Sequence, residues 1–381
     1  MKSLKIGCGL LCFLILASNV RSMSRWNEAR GVYDDVCYLR QAHLFQRFGL
    51  AGFNTDISRD DDGYLAGKLR AIGFPTANDV RTAPCHTPMP ASGKLVIQYP
   101  PGTGAVLAMF PEGHQVIPLY VLATVVVFAV AALAISCAAR SSEVLLAGLF
   151  GCLAIYLMIN PAKASYSMAP TMVVCALAGY LTARWLIGRR QDTFKDLLLV
   201  LALGVLLGLS VNFRLPNLFL SAGYGLFLLG AFASTRSMQA VLQGVWFAVA
   251  FLAGLAPTLI ANAINAGSPL ATTYGGQDVT APDFSLGIVW QYVADMQFVL
   301  LVLAGLATAL LLATRNRAGI RNVAQLTALN LLVNLAFFLS HPVFTPYYTV
   351  PIAMLSLWSL LFAYLLRPIE AVDGALVARA A

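Results

Sequence analysis

Runs of apolar residues long enough to cross a bilayer recur along the chain and constrain its fold more than any other feature. A helix rises 1.5 Å per residue, so about 20 apolar residues cover the ~30 Å hydrocarbon core. Ten stretches meet this criterion, which predicts an all-α fold class, a polytopic membrane helix bundle of about ten spans with a long extracytoplasmic first loop. The predicted spans are 5–21, 116–139, 143–160, 166–187, 196–213, 215–234, 241–264, 298–314, 323–340 and 343–366.

The apolar run 197–233 is too long to be a single span. One helix of that length would extend roughly 55 Å, nearly twice the thickness of the hydrocarbon core. Arg214 is the only charged residue in the run, and Pro216 follows two positions later. Because proline interrupts a helix, these two residues predict a tight hairpin between two spans.

The composition excludes the main soluble classes of protein. Hydrophobic residues make up 59% of the chain and charged residues only 11%, whereas a soluble domain has about 45–50% and about 25%. A soluble enzyme, a disordered chain and a nucleic-acid-binding domain are therefore poor interpretations, although the formal net charge is +8. We expect an integral-membrane protein with no nucleic-acid partner.

The distribution of Lys and Arg predicts how the spans are oriented. With a cytoplasmic N-terminus, the inner side holds 13 of the 25 basic residues and 5 of the 17 acidic ones, a surplus of 8. The outer side holds 12 of each, and most of its basic residues fall in the long segment 22–115, where the positive-inside rule has little force. Both termini are therefore predicted to be cytoplasmic, and the net charge reflects topology.

The first span has a second interpretation. Lys2 and Lys5, a 12-residue apolar core Ile6–Ala17 and the small residue Ser18 are equally typical of a cleaved signal peptide. Cleavage would leave nine spans. The predicted organisation is a first transmembrane helix or signal peptide at 1–21, an extracytoplasmic loop with amphipathic helices at 22–115, a transmembrane bundle of about nine spans at 116–366 and a cytoplasmic tail at 367–381.

The outer segment 22–115 is the only sizeable polar piece of the chain. Apolar residues at helical spacing across 28–50 predict an amphipathic helix, and the acidic run 60–62 predicts a solvated loop, because it lacks the alternating ligand spacing of a calcium loop. Cys37 and Cys85 are the only two of the seven cysteines outside the spans, and an oxidising compartment permits them to pair as a disulfide. No Cys/His spacing suggests a metal site.

Asn330 and Asn334 are polar residues inside a predicted span, one helical turn apart. Amide side chains at such positions commonly make hydrogen bonds between membrane helices. We expect this structural role for them rather than contact with a substrate.

Asp34 and Asp35 are the best candidates for chemistry. These two adjacent carboxylates begin the predicted amphipathic helix just past the first span. A low-dielectric membrane surface raises the pKa of a carboxylate, which suits a general base. Acidic residues are also favoured at helix N-termini for electrostatic reasons, and spacing alone favours this capping role.

Two further motifs flank early and central spans on the same predicted membrane face. Tyr99 belongs to a Tyr-Pro-Pro-Gly element before the second span. The two prolines predict a rigid, extended backbone where the chain enters the bilayer surface, and a structural role is the default interpretation. Arg214, at the outer hairpin, could clamp a phosphate with its planar fork or extend to lipid headgroups.

The last two motifs lie late in the chain, again on the outer face. Tyr274 belongs to the segment 262–276, which contains Gly-Ser-Pro-Leu and no Lys or Arg. His341 begins an aromatic element that continues to Tyr347 and Tyr348, and aromatic residues at this depth usually form an interfacial belt. Each motif is weak alone, but all five share one membrane face.

Taken in order, the five motifs resemble those of the multispanning GT-C glycosyltransferases of the protein-mannosyltransferase and aminoarabinose-transferase type, a glycosyltransferase family 39-like group. In that superfamily an acidic pair follows the first span, a Tyr-Pro-Pro-Gly element precedes the second, and an Arg-Pro-like element lies between later spans. An Asn…Gly-Ser-Pro-Leu…Tyr-Gly segment and a late Tyr…Pro element complete the pattern. The similar residues here are Asp34-Asp35 with Tyr38, Tyr99–Gly102, Arg214–Pro216, Asn265–Gly275 and Tyr347–Pro351.

The resemblance implies an enzyme that transfers a hexosyl or pentosyl group from a polyprenyl-phosphate donor to a lipid, glycan or protein acceptor. The reaction would take place on the extracytoplasmic face of the bacterial inner membrane, in lipopolysaccharide or other cell-envelope glycan biosynthesis, with no cofactor besides the lipid-linked sugar. Asp34 would act as base on the acceptor hydroxyl, with Asp35 as its neighbour. The implied donor- and lipid-phosphate-binding residues are Arg214, Tyr347, Tyr348 and His341, and the implied substrate-loop residues are Tyr38, Tyr99 and Tyr274.

Three features depart from that pattern. Family members often carry a second acid early in the fourth span, where this chain has no acid in 165–170. Many have a large soluble C-terminal domain, whereas about 15 residues follow the last predicted span here, and many place Arg where Tyr347 stands. A catalytically degenerate GT-C-like subunit and a lipid-linked-sugar transporter are therefore the alternatives. A transporter would be expected to show an inverted repeat and ionisable residues near the midplane, and the sequence favours neither.

Overall fold

The structure is a computed structural model. The side chain of Asp34 and the predicted tail 367–381 lie outside what it describes. The described residues are 1–26, 33–77, 79, 82–159, 165–187, 193–275, 281–313, 318–341, 344 and 346–366.

Helices make up 76% of the structure, which confirms the all-α fold class. Short 3₁₀ turns at Gly49–Phe53, Ile57–Arg59, Leu215–Asn217 and Pro346–Tyr348 connect some of them. The described α-helices are α1 (Lys2–Met23), α2 (Tyr33–Phe48), α3 (Tyr64–Ala71), α4 (Gly102–Leu107), α5 (Val116–Cys137), α6 (Ser141–Leu157), α7 (Met168–Ile187), α8 (Thr193–Phe213), α9 (Leu218–Thr235), α10 (Met238–Ala266), α11 (Leu286–Ala294), α12 (Phe298–Leu312), α13 (Ala318–Ser340) and α14 (Val350–Leu365).

A short antiparallel hairpin holds the only strands in the part of the chain that the structure describes. It lies in the outer segment, where β1 (His86–Met89) pairs with β2 (Lys94–Ile97) and His86 stands opposite Ile97. Gly93, in the connecting turn, has a φ of 65°, a left-handed conformation that glycine adopts without a steric penalty. The sequence pattern predicts only helices and loops here, so this hairpin is an addition.

Among the described residues, seven helices are long and apolar enough to cross a membrane: α1, α5, α7, α8, α9, α10 and α13. Helix α12 meets the same criterion only together with α11, and these two helices meet at a bend of 90°. Helices α6 and α14 are apolar but shorter, with 17 and 16 residues. The described residues therefore support an integral-membrane protein with seven to eight membrane-compatible helices, fewer than the ten predicted spans.

The predicted hairpin at Arg214 is confirmed. Helix α8 ends at Phe213, and α9 begins at Leu218 after one 3₁₀ turn. Asn217 holds this hairpin in place, because its side-chain amide donates to the carbonyl oxygen of Ser210 at 2.8 Å and to the hydroxyl of Thr171 in α7 at 3.0 Å. These two hydrogen bonds hold the turn that carries the side chain of Arg214.

Helices α8 and α10 cross at very close range because glycines face each other. A Cβ at Gly208 would lie 2.2 Å from the carbonyl oxygen of Phe251, and one at Gly254 would lie 2.4 Å from that of Val205. Small residues of this kind let membrane helices pack backbone against backbone. The crossing fixes the outer ends of both helices, where the candidate site residues lie.

Asn330 and Asn334 make the interhelical hydrogen bonds predicted for them. Asn330 in α13 donates to the carbonyl oxygen of Leu220 at 2.9 Å and accepts from the backbone N–H of Gly223 at 3.2 Å. Asn334 donates to the carbonyl oxygen of Phe219 at 2.9 Å. Both amides therefore join α13 to α9 and serve packing.

The outer segment folds over the end of the bundle where α8 and α10 finish. In the hairpin region Lys94 donates from Nζ to the carbonyl oxygen of Ile264 at 2.6 Å, and Ser92 donates to that of Asn265 at 2.6 Å. In the other direction, the side-chain amide of Asn265 donates to the carbonyl oxygen of Phe53 in the outer segment at 2.8 Å. We call this end of the bundle the outer end, in keeping with the predicted orientation.

Candidate functional site

Arg214 lies at the outer end in a cluster built from three separate parts of the chain. Its side chain is only 6% exposed, and one guanidinium nitrogen lies 2.8 Å from the sulfur of Met168 at the start of α7. The guanidinium carbon lies 4.8 Å from the ring centre of Tyr347 and 4.9 Å from that of Tyr348. The structure thus brings together three residues that the resemblance assigned to the donor phosphate.

The charge of Arg214 is not balanced within the described part of the chain. No carboxylate described by the structure forms an ion pair with it. Aromatic faces and a thioether stabilise a guanidinium only partly, because they carry no net charge. A buried cation without a counter-charge is costly, so this cluster is suited to receive an anion.

Asp35 approaches the same region from helix α2. Its carboxylate is 2% exposed and accepts a hydrogen bond from the backbone N–H of Tyr166 at 2.9 Å. Tyr166 precedes Met168 by two residues, so the short segment 165–168 connects the acid to the Arg214 cluster. This contact is made to a segment 131 positions away in the sequence. The position of the Asp34 side chain lies outside the described residues.

Tyr38, Tyr99 and Tyr274 form one aromatic group. The rings of Tyr38 and Tyr99 stack with centres 5.0 Å apart, and Tyr274 meets Tyr99 edge-on at 6.1 Å. Gln41 donates to the carbonyl oxygen of Tyr99 at 2.8 Å, and Thr273 donates to that of the preceding residue at 2.8 Å. Three predicted substrate-loop residues from three segments therefore share one location.

The space beside this aromatic group is small. A cavity of about 10 Å³ is lined by residues that include Tyr99, Thr273 and Asn265. That volume is room for about one water molecule. This cavity is therefore too small to hold a sugar.

The Tyr-Pro-Pro-Gly element has a clear packing role. A Cβ at Gly102 would lie 2.7 Å from the Cβ and the carbonyl oxygen of Asn212. Asn212 in turn reaches α10, where its amide donates to the carbonyl oxygen of Gly254 at 2.7 Å and accepts from the backbone N–H of Thr258 at 2.9 Å. An ideal α-helix pairs those two backbone groups with each other, and Pro257 lies between them. Asn212 therefore links α4, α8 and the proline-interrupted turn of α10.

His341 lies just past the end of α13, with its ring stacked on Phe337 at 5.6 Å. Phe337 stacks in turn on Phe219 of α9 at 3.8 Å. Such a stack of rings at the outer end is what an interfacial aromatic belt requires.

Cys37 and Cys85 form a disulfide that ties α2 to the residue before β1. His86 lies beside it, with Nδ1 4.0 Å from the sulfur of Cys37. In the described part of the chain these three residues are the only His, Cys, Asp or Glu group close enough to hold a metal ion, and the disulfide engages both sulfurs.

Arg40 is a central residue of the outer segment that the sequence analysis missed. It is fully buried in α2 and donates to the carbonyl oxygens of Thr55 at 2.8 Å and Asp56 at 2.9 Å. Burial lowers the pKa of Arg40 to about 10. The signal was available, because Arg40 stands one helical turn from both Val36 and Leu44 on the apolar stripe of the helix.

His86 and Asp60 complete the Arg40 network. Arg40 donates to Nε2 of His86 at 3.0 Å, while Nδ1–H of His86 donates to the carbonyl oxygen of Pro84 at 2.9 Å. Burial, together with the charge of Arg40, lowers the pKa of His86 to about 3, so the imidazole is neutral. The Asp60 carboxylate lies 3.7 Å from Nε of Arg40 and is 5% exposed. The predicted solvated character of the acidic run is therefore wrong for Asp60.

Comparison with protein families, with curated proteins and with solved structures finds no match to this chain.

Proposed function

We propose that the chain is an integral-membrane glycosyltransferase with ten spans and an extracytoplasmic first loop, acting at the bacterial inner membrane. It transfers a sugar from a polyprenyl-phosphate donor to a lipid, glycan or protein acceptor on the outer face. The observation that carries the proposal is the buried guanidinium of Arg214, which has no carboxylate partner among the described residues. The five motifs that resemble GT-C enzymes support it independently.

Arg214 is the proposed ligand of the donor phosphate. A guanidinium presents two parallel N–H groups that match two phosphate oxygens, and such charge-assisted pairs are about twice as strong as neutral hydrogen bonds. The guanidinium carbon lies 4.8 and 4.9 Å from the ring centres of Tyr347 and Tyr348, which meet each other edge-on beside it. When the glycosidic bond breaks, negative charge grows on the departing polyprenyl phosphate, and Arg214 stabilises it.

Asp34 is the proposed general base. It takes the proton of the acceptor hydroxyl while that oxygen attacks the anomeric carbon, and the bond from this carbon to the phosphate oxygen breaks with inversion. Asp35 is a positioning residue, since its carboxylate is buried against the segment that also contacts Arg214. The two acids therefore have different tasks although they are adjacent.

The cavity beside Tyr99 must widen before a sugar can occupy it. Its volume of about 10 Å³ is far below the roughly 300–1,000 Å³ of ligand sites. Tyr99 lines this cavity and stacks on Tyr38, so movement of Tyr99 is part of the proposal.

The proposal is tested in the source cells by mass analysis of surface glycolipids and glycoproteins. A deletion strain should lose a glycan mass that the wild-type gene restores. Asp34→Asn should fail to restore it although the protein is present in the membrane. Unchanged glycans in the deletion strain would refute the transferase activity.

The same strains separate the alternatives. If Asp34→Asn and Asp35→Asn both restore the glycan while Arg214→Gln does not, the chain is a non-catalytic lipid-binding subunit. An exposed arginine at the other end of the bundle, changed in Arg321→Gln, serves as the matched control and should restore the glycan fully.

A further inference from the structure

A cavity of about 640 Å³ lies at the end of the bundle opposite Arg214. Its walls come from the second half of α9, the last turns of α7 and α12, and the first turns of α8, α10 and α13, whereas Arg214 follows the last turn of α8. This volume falls within the roughly 300–1,000 Å³ typical of ligand sites. We call it the inner cavity, since the predicted orientation places it in the cytoplasmic leaflet.

The polarity of the inner cavity changes along the membrane normal. On α13, Asn322 and Gln325 line its mouth, and Leu329 follows one turn deeper. On α9, which runs in the opposite direction, Phe227 lies deep and Ser234 lies at the mouth. A polar mouth and an apolar floor match an amphiphile whose head faces the cytoplasm and whose chain extends towards the midplane.

The chemistry of the mouth selects the head group. Gln239, Gln243, Asn322 and Gln325 bring four amides to it, and none of them makes a hydrogen bond within the described part of the chain. An amide both donates and accepts, as a hydroxyl does, so amides and hydroxyls pair in either direction. Asp196 is the only charged side chain among the described lining residues. Asp196 makes an interaction of its own, and no Lys or Arg is among the described lining residues, so they offer a phosphate no counter-charge.

We propose that the inner cavity binds a neutral amphiphile with a hydroxylated head, such as a sugar or another polyol on a single alkyl chain. The four amides bind the hydroxyl groups, and the apolar floor binds the chain. This site is separate from the Arg214 cluster, and the inference does not depend on the proposed transferase function.

The test measures binding of radiolabelled dodecyl β-glucoside to the full chain in phosphatidylcholine nanodiscs. Dodecyl phosphate, with the same chain and an anionic head, is the comparison probe. The double variant Gln243→Leu with Asn322→Leu tests recognition of the head group. The variant Gly230→Leu tests the space for the alkyl chain. Gly230 lines the cavity, and a Cβ there meets no atom within 4 Å, so the variant begins a side chain in open space.

Matched controls exist for both changes. Gly225 lies on the same helix, does not line the cavity and likewise has open space around a Cβ, so Gly225→Leu controls for the added side chain. Gln291→Leu removes an exposed amide from α11 at the outer end.

We expect saturable binding of dodecyl β-glucoside, at least about tenfold tighter than that of dodecyl phosphate. Both cavity variants should weaken it by about tenfold or more, and both controls should bind like the wild type. Equal non-saturable uptake by all variants, or tighter binding of dodecyl phosphate, would overturn the proposal. A size-exclusion profile and a melting temperature for each variant identify any that fails to fold, and Gly230→Leu remains decisive if the double variant does.

Discussion

The carboxylate of Asp35 accepts a hydrogen bond from the backbone N–H of Tyr166 at 2.9 Å, across 131 positions of sequence. Both groups are buried, so removing the acceptor leaves an N–H group without its partner. We expect Asp35→Leu to destabilise the protein by about 1–3 kcal/mol, and Asp35→Asn to cost less because its amide oxygen can still accept. Melting temperatures in nanodiscs measure both. Equal melting temperatures for Asp35→Leu and the wild type would contradict a positioning role.

The Arg214 cluster predicts selective binding of a lipid phosphate. We expect the full chain in nanodiscs to bind undecaprenyl phosphate more tightly than undecaprenol, which has the same chain without the charge. Arg214→Gln should weaken phosphate binding by about tenfold or more, because hydrogen bonds to charged groups contribute about 1.5–3 kcal/mol. Arg214→Lys should fall between, since it keeps the charge but loses the planar fork.

Arg321→Gln is the control for that measurement, because Arg321 is exposed at the opposite end of the bundle. Its affinity for undecaprenyl phosphate should equal that of the wild type. If undecaprenol and undecaprenyl phosphate bind the wild type equally, Arg214 does not recognise phosphate, and its burial has another cause.

Local sequence patterns predicted the helices well because burial in lipid or in a core requires contiguous apolar residues. The hairpin at Arg214 and the amphipathic helix α2 follow from such local patterns. The 90° bend between α11 and α12 does not, and in the folded chain Ile288 and Tyr292 of α11 pack against Phe338 of a third helix. Local sequence patterns therefore did not predict the contacts between elements that are distant in the sequence.

The candidate site shows the same division. The motif resemblance grouped Arg214 with Tyr347 and Tyr348, and the structure places them in contact. The role of Met168 was not predictable, because a methionine that starts an apolar span carries no signal of a polar neighbour. Arg40 was missed although its position on an apolar stripe indicated burial.

Gly102 should tolerate no side chain. A Cβ there would lie 2.7 Å from backbone and side-chain atoms of Asn212, which Gly254 and Thr258 hold in place. We expect Gly102→Ala to destabilise the protein by about 1–3 kcal/mol through overpacking. Gly67→Ala, in α3 where a Cβ meets open space, should be neutral or stabilising by up to about 1 kcal/mol. Similar melting temperatures for the two variants would show that α4 can shift away from α8.

The disulfide between Cys37 and Cys85 should stabilise the outer segment. It closes a loop of 48 positions, and removing a disulfide typically costs about 2–4 kcal/mol. We expect Cys37→Ser to lower the melting temperature and to remove most of its sensitivity to reductant. Cys137→Ser, which changes a free cysteine, should keep both the wild-type melting temperature and that sensitivity. A wild-type protein unaffected by reductant, despite complete reduction shown by mass, would contradict this role.

His86 should make stability depend on pH in a defined direction. Its pKa is lowered from 6.5 to about 3 in the folded protein, chiefly by burial and then by the charge of Arg40. Between about pH 6.5 and pH 3, His86 is therefore protonated in the unfolded chain and neutral in the folded chain. Its contribution to the free energy of unfolding is complete above about pH 6.5 and is lost as the pH falls towards 3. We expect the melting temperature to fall between pH 7 and pH 4, and to fall less in His86→Gln. At pH 7 this variant can be less stable, so the quantity to compare is the slope of melting temperature against pH.

His114→Gln, at an exposed position, should keep the wild-type slope. An equal slope in His86→Gln and the wild type would show that other groups cause the acid sensitivity.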